Sequence, residues 1–168
     1  MFRAAVAISL ALGLSGTWGC TRPFGRDPGE IASAYASAGR YDDAAREIEL
    51  AVRTHPRDAA LHRQAAGIHE RRGDTAQAIG HLEVAIQITP SDAELWIQLG
   101  ELENSRENIA DAYVAFRRAT ELAPDDVRAV SGLALSADNL GFDEEAEAAY
   151  ARWTELERTR ESSSPARH

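Results

Sequence analysis

Pro56, Pro90 and Pro124 stand 34 residues apart both times, inside the related phrases THPRDAALH, ITPSDAELW and LAPDDVRAV. A strict period constrains a chain more than any single motif does. Each period must be one supersecondary unit that buries its apolar side only against its neighbours, so the chain is a linear stack and not a globule wound about one centre.

Alignment at that offset lines up further columns. Ala44, Ala78, Ala112 and Ala146 form one; Ala51, Ala85 and Ala119 a second; Ala32, Ala66, Gly100 and Ala134 a third; Gly39, Gly73 and Gly141 a fourth. Small residues recurring on helical segments predict close helix approach, where a larger side chain would overpack the contact by about 1–3 kcal/mol. Ile31, Tyr35, Trp96, Leu99, Ile48, Leu82, Phe116 and Tyr150 are the large apolar residues that fill the spaces beside them. Each unit reads as two helices. Asp27-Pro28-Gly29-Glu30 opens the first, with a capping aspartate, a proline whose missing N–H costs nothing there, and a glutamate three residues on. Gly39 stops it, and a second helix runs from Tyr41 to Thr54 before Pro56 forbids continuation. Ser91-Asp92-Ala93-Glu94 reads as a capping box opening the third unit.

This period and these columns resemble the tetratricopeptide repeat family over roughly residues 25 to 157. Ile31, Ala32, Tyr35, Gly39, Tyr41, Ala44, Ile48, Ala51 and Pro56 carry the pattern in the first unit; Trp96, Leu99, Gly100, Ala112, Phe116, Ala119 and Pro124 carry it in the third. The resemblance implies an all-α fold, a right-handed α-solenoid of about four helix-turn-helix repeats at 25–58, 59–92, 93–126 and 127–157. The repeat domain spans 27–157 and is followed by a disordered tail, 158–168. Two departures stand out. Glu107 occupies a glycine column, so its turn is expected to be strained or reshaped. Trp153 replaces a small alanine near the end, where it either folds back as a lid or docks a partner or a second copy.

The 168 residues include 27 acidic and 18 basic side chains, for a net charge of -9, which argues against nucleic acid and anionic lipid surfaces as partners. Every basic residue is arginine; without lysine there is no Schiff-base chemistry and no lysine-dependent phosphate loop. Residues 1–19 have the layout of an export signal: Arg3, then an apolar run from Ala4 to Leu14 that falls short of the roughly 20 residues needed to span a bilayer. Gly19-Cys20 resembles a bacterial lipoprotein box with Thr17 and Trp18 in place of the usual leucine and small residue, which implies lipidation of Cys20 and a short linker, 20–26. The alternative is cleavage elsewhere and a soluble exported chain. Thr21 after the cysteine, again by resemblance to lipoproteins, favours the outer membrane, facing the periplasm.

No catalytic motif emerges. His62 and His69 lie seven apart on one helix, about 10 Å and too far for one ion without a third element. His55, His81 and His168 share no ligand spacing with them, so the expectation is packing, no metal and no cofactor. Asp42-Asp43 and Asp143-Glu144-Glu145 fall in first helical turns, where negative charge suits the helix dipole. The expected function is therefore a non-enzymatic scaffold for protein or peptide partners of the bacterial envelope, assisting assembly of a pilus, secretion or outer-membrane complex. The alternative is a soluble periplasmic protein that dimerises through its C-terminal repeat.

By the family's geometry, first helices line a concave peptide groove. Arg63, Gln64, Gly67, Glu70 and Arg71 would face it from the second unit, Ile97, Gln98, Glu101, Asn104 and Ser105 from the third, and Arg128, Ser131, Leu135, Asp138 and Asn139 from the fourth. Capture of an acidic or carboxyl-terminal peptide between Arg63 and Arg128 is one further expectation; an ordinary solvated face is the alternative.

Overall fold

The computed structural model describes residues 27–163. The expected signal 1–19, Cys20 and linker 20–26 lie outside the described residues, as do 164–168. Eight helices make up the described chain, in antiparallel pairs: α1 (Pro28–Ser37) with α2 (Tyr41–Thr54), α3 (Ala59–Arg72) with α4 (Thr75–Ile88), α5 (Ala93–Ser105) with α6 (Ile109–Leu122), and α7 (Val127–Asn139) with α8 (Asp143–Ser163). The fold is an all-α solenoid of four such pairs.

Each odd-numbered helix starts on an aspartate. The Asp58 carboxylate accepts from the Ala60 and Leu61 N–H groups at 2.9 and 3.2 Å, and Asp126 from Arg128 and Ala129 at 2.8 and 3.2 Å, satisfying donors that have no partner within the helix. Asp27 caps α1 in the same way. At the third unit the cap is Asp92, which accepts from the Glu94 N–H at 3.1 Å, one residue later than the expected Ser91 box. Asp92 is in phase with Asp58 and Asp126, and its charge also complements the helix dipole.

All four turns within a pair close identically. Arg40, Asp74, Asn108 and Phe142 donate back to the carbonyls of Tyr35, His69, Glu103 and Ala137 at 2.8–2.9 Å, the six-to-one bond of a Schellman motif. The motif needs a left-handed residue just before. Gly39, Gly73 and Gly141 supply it at φ 74°, 87° and 74°, and Glu107 is forced to φ 61°. The glutamate turn is thus strained without being reshaped.

The alanine columns sit where helices touch: Ala32, Ala44, Ala51, Ala78, Ala85, Ala112, Ala119 and Ala134 are fully buried. Ile48, Leu82 and Phe116 pack between them. Phe116 fills its space completely, because a Cβ added at Gly100 would lie 2.8 Å from its ring and one at Gly132 only 2.5 Å. Across repeats the odd-numbered helices approach one another, α1 with α3 and α5 with α7, more closely than the even-numbered ones do. The layer with the closer spacing is the inside of the curve, so α1, α3, α5 and α7 form the concave side.

The chain's end departs from expectation. α8 runs to Ser163, well past 157, so 158–163 is helical and not a disordered tail. Its last described turns contain no proline or glycine, and Arg158 and Arg160 pair with Glu155 and Glu157 three residues earlier.

Candidate functional site

Two hollows open on the concave face. One, of about 300 Å³, lies between α1 and α3 and is lined by Ser33, Ser37, Gln64, Gly67, Ile68 and Arg71 among others. The second, of about 240 Å³, lies between α5 and α7, with Glu101, Asn104, Arg128, Ser131 and Leu135 around a floor of Gly132 and Phe116. Missing side chains create both floors: nothing lies within 4 Å of a Cβ added at Gly67, and at Gly132 the Phe116 ring occupies that space. Leu135 projects at the rim, 48% exposed, an unusual position for a large aliphatic side chain.

Most of the anticipated groove residues are on this accessible side: Arg63, Glu70, Arg71, Glu101, Asn104, Ser105, Arg128, Leu135, Asp138 and Asn139 are exposed, and Gln64, Gly67, Gln98 and Ser131 are half-buried. Ile97 is not among them. It is 1% exposed and packs with Ala119, Ala129 and Trp96, so it belongs to the seam between the third and fourth repeats. Two small alanines opposite it leave room for an isoleucine that its column equivalents, Arg63 and Ser131, could not use.

Several polar groups here are already committed. Gln64 donates to the Gly29 carbonyl and the Ser33 hydroxyl at 2.8 and 2.7 Å, tying α3 to α1. Gln98 donates to Glu94 at 2.9 Å. Arg128 is held on two sides: Nε and Nη2 donate to the two Glu101 oxygens at 3.0 and 2.9 Å, and Nη1 reaches both Glu94 oxygens at 3.1 and 3.0 Å. The fork onto Glu101, and then Glu94, pushes the guanidinium's pKa up. Two carboxylates around one guanidinium leave a net negative charge, which opposes capture of a peptide carboxylate there. Arg63 stands apart from it, facing Asp92 at 4.0 Å and lining a larger cavity of about 800 Å³ at the edge between the α2–α3 and α4–α5 loops. Both arginines between which an acidic peptide is expected thus already face carboxylates of this chain.

At the C-terminal end, Trp153 lies half-buried with its ring stacked on Tyr150 at 6.3 Å, folded back onto its own helix. Its indole Nε1 is buried without a hydrogen-bond partner, beside a cavity of about 550 Å³ formed with Tyr150, Thr154, Glu157, Arg158 and Glu161.

His62 and His69 are buried, at 5% and 4% exposure. The fold also brings them something their spacing did not disclose. His81, on α4, stacks against His69 at 5.3 Å and meets His62 at 5.4 Å, with Glu49 of α2 in contact with both His69 and His81. Burial lowers the pKa of His81 against the opposing pull of Glu49; burial raises that of Glu49, but hydrogen bonds from the two histidines outweigh it and the net shift is downward. Among the described residues no helix is long and apolar enough to cross a membrane.

The model of the tetratricopeptide repeat family matches residues 30–93 and 97–161. No curated protein sequence matches the chain. Among solved structures, MamA superposes with a TM-score of 0.74 at 19% identity, over 80% of this chain and 79% of MamA. MamA from residue 41 to its end, from Desulfovibrio magneticus RS-1, gives 0.68 at 17% identity, over 81% and 75%. The first tetratricopeptide repeat domain of Spaghetti (RPAP3), bound to the HSP90 peptide SRMEEVD, gives 0.62 at 20%, over 68% and 90%. At identities this low, the superpositions show a shared fold and nothing more.

Proposed function

Because this chain belongs to the tetratricopeptide repeat family, we propose that it is a non-enzymatic scaffold that receives a segment of a partner protein along its concave face. The observation that carries this is the hollow between α5 and α7, where exposed Leu135 stands beside the Asn104 amide and the Glu94–Arg128–Glu101 cluster. An apolar anchor flanked by amide and carboxylate groups suits a peptide that offers backbone N–H groups, basic side chains and one apolar side chain. The RPAP3 domain, similar in fold, is bound to a peptide, which supports a peptide as the class of guest. The surplus acidic charge around Arg128 disfavours carboxylate-rich guests at this groove.

Further parts of the reading rest on sequence. The export signal and Cys20 support display from a bacterial envelope membrane by a lipid anchor, and the six residues from Thr21 to Arg26, about 20 Å when extended, would restrict partners to envelope components such as pilus, secretion or outer-membrane assemblies. Lipid labelling of wild type against Cys20→Ala tests the anchor. For the groove, a photo-crosslinking residue at position 135 should capture a defined partner in whole cells, and one at exposed Arg46 on α2 should not. Identical captures from both positions would sink the assignment.

A second reading, self-association through the last repeat, is favoured by the unpartnered Trp153 indole and the cavity beside it. Light scattering on wild type and Trp153→Ala decides: a dimer lost in the variant supports it, and a monomeric wild type removes it.

A further inference from the structure

Glu49, His69 and His81 come from three different helices, yet each offers one ligand atom within 4.8 Å of the others. Glu49 Oε1 is 3.1 Å from His69 Nε2 and 3.0 Å from His81 Nε2. A tetrahedral zinc ion with bonds near 2.0 Å separates its ligands by about 3.3 Å. Two of the three edges of such a site are therefore already in place.

Hydrogen-bond direction fixes which atoms face the centre. Trp96 donates its indole Nε1–H to the Pro90 carbonyl at 3.0 Å. His62 and Pro56 occupy the same columns one repeat earlier, and His62 Nε2 lies 3.2 Å from the Pro56 carbonyl. That carbonyl can only accept, so His62 carries its proton on Nε2 and, as a neutral ring, presents a lone pair at Nδ1. His62 Nδ1 lies 3.2 Å from His81 Nδ1, which must then donate. The lone pair of a neutral His81 is thereby directed through Nε2 at Glu49, and a carboxylate also offers only lone pairs. With both rings neutral the three contacts are one proton short, and the deficit is met either by a metal ion at His81 Nε2 or by one additional proton on the histidine pair.

The geometry points to a divalent transition-metal site of the zinc type, ligated by Glu49 and by Nε2 of His69 and His81, with His62 orienting His81. A carboxylate with two imidazoles suits zinc, and a metal-bound histidine typically donates its other N–H to an acceptor, as His81 does to His62. His69 must carry its proton on the buried, unpartnered Nδ1, a cost small beside the free energy gained on binding structural zinc. Glu49 is 36% exposed and His81 12%, which leaves an entry path and a fourth position for water. An ion here fastens α2 to α3 and α4, and so joins the first repeat to the second. The two exposed hollows of the groove are not involved.

The test is equilibrium dialysis and calorimetry of the full chain, purified without a polyhistidine tag, against Zn²⁺ alone. Expected are one ion per chain, a rise in the thermal midpoint with zinc, and at least tenfold weaker binding in Glu49→Gln and His81→Asn at unchanged helical content. His62→Phe keeps an aromatic ring in the Trp96 column while removing the orienting bond, and should weaken binding about 10–100-fold. If a variant fails to fold, nitrogen-correlated NMR of the wild type reads the same question, because zinc should perturb the ring nitrogens of His69 and His81 and leave those of His55 in place. No saturable binding, binding that survives both ligand substitutions, or perturbation at His55 alone would overturn the assignment; the first would leave His81 and Glu49 as a proton-held pair.

Discussion

Glycine-to-alanine changes at two helical positions should have opposite signs, and the reason is one aromatic ring. Both Gly80 in α4 and Gly132 in α7 lie within helices, so alanine gains about 0.5–1 kcal/mol at either from reduced backbone freedom in the unfolded chain. At Gly80 nothing lies within 4 Å of the new Cβ, and the gain is realised in full. At Gly132 the Cβ lands 2.5 Å from two carbons of the Phe116 ring and 2.7 Å from a third. The ring must withdraw by about 1 Å to restore ordinary contact, and it cannot, because Gly100 on the other side already holds it to a clearance in which a methyl group would sit at 2.8 Å. Overpacking of this kind costs about 1–3 kcal/mol.

Gly80→Ala should therefore raise stability by about 0.5–1 kcal/mol, and Gly132→Ala should lower it by about 1 kcal/mol after its own propensity gain is set against the clash. Urea unfolding followed by far-ultraviolet circular dichroism reads both, with equal m-values as the condition for comparing midpoints. A difference of about 2 kcal/mol between the variants corresponds to roughly 6 °C in thermal midpoint. In a Phe116→Leu background the Gly132→Ala cost should shrink or reverse, since the pair is in contact and not additive. Equal stabilisation by both single changes would refute the reasoning.

Glu107→Gly should stabilise by about 1 kcal/mol, read by the same urea titration, because the left-handed φ of 61° is kept while its steric cost is removed. Tyr113 Oη donates to Glu145 at 2.6 Å, and that bond, with burial, raises the tyrosine pKa from its ordinary 10.0. The folded chain holds this proton more tightly than the unfolded one, so the bond's contribution is complete below pH 10 and is lost as pH rises through the folded value. The stability gap between wild type and Tyr113→Phe should accordingly narrow above pH 10 in pH-jump unfolding. Amidating the terminal carboxylate of a groove-binding peptide should leave its affinity within about twofold in fluorescence anisotropy, because Arg128 is already paired with Glu94 and Glu101; a tenfold loss would show that the guanidinium is available after all.

The period made the helix pairs legible, down to α2 at Tyr41–Thr54, because proline, glycine and alanine columns report backbone geometry directly. Side-chain partners were less legible, since they lie in a neighbouring repeat. Arg128 meets Glu94 and Glu101 from 34 and 27 residues away, and Ile97 vanishes into the core because Ala119 and Ala129 make room for it. Spacing along one helix could not reveal the histidine cluster, whose members are 19 and 20 residues apart across the pairs His62–His81 and His69–Glu49. The end of α8 departs from the expected tail for a different reason. Its polar composition resembles a tail, whereas its charges pair at helical spacing.

A repeat array carries its own control, because each column shows what the fold requires where it stays constant and what it merely tolerates where it varies. The alanine columns are nearly invariant across the four units and nearly all fully buried, so they answer to packing alone. The column of Tyr35, His69, Glu103 and Ala137 holds an aromatic, an imidazole, an acid and a methyl group in equivalent places, which packing cannot explain. Both His69 and Glu103 are buried there, and each is supported by a polar neighbour, Glu49 for the first and the Asn108 amide at 3.1 Å for the second. A buried polar side chain persists only when such partners are supplied along with it. Of the partners, Asn108 is unique in a column that holds Arg40, Asp74 and Phe142 elsewhere, while Glu49 shares its place with Glu83 and gives way to Arg117 in the third unit. Matched departures of this kind, repeated at Arg128 with Glu94 and Glu101, are where this solenoid differs from a generic stack of hairpins.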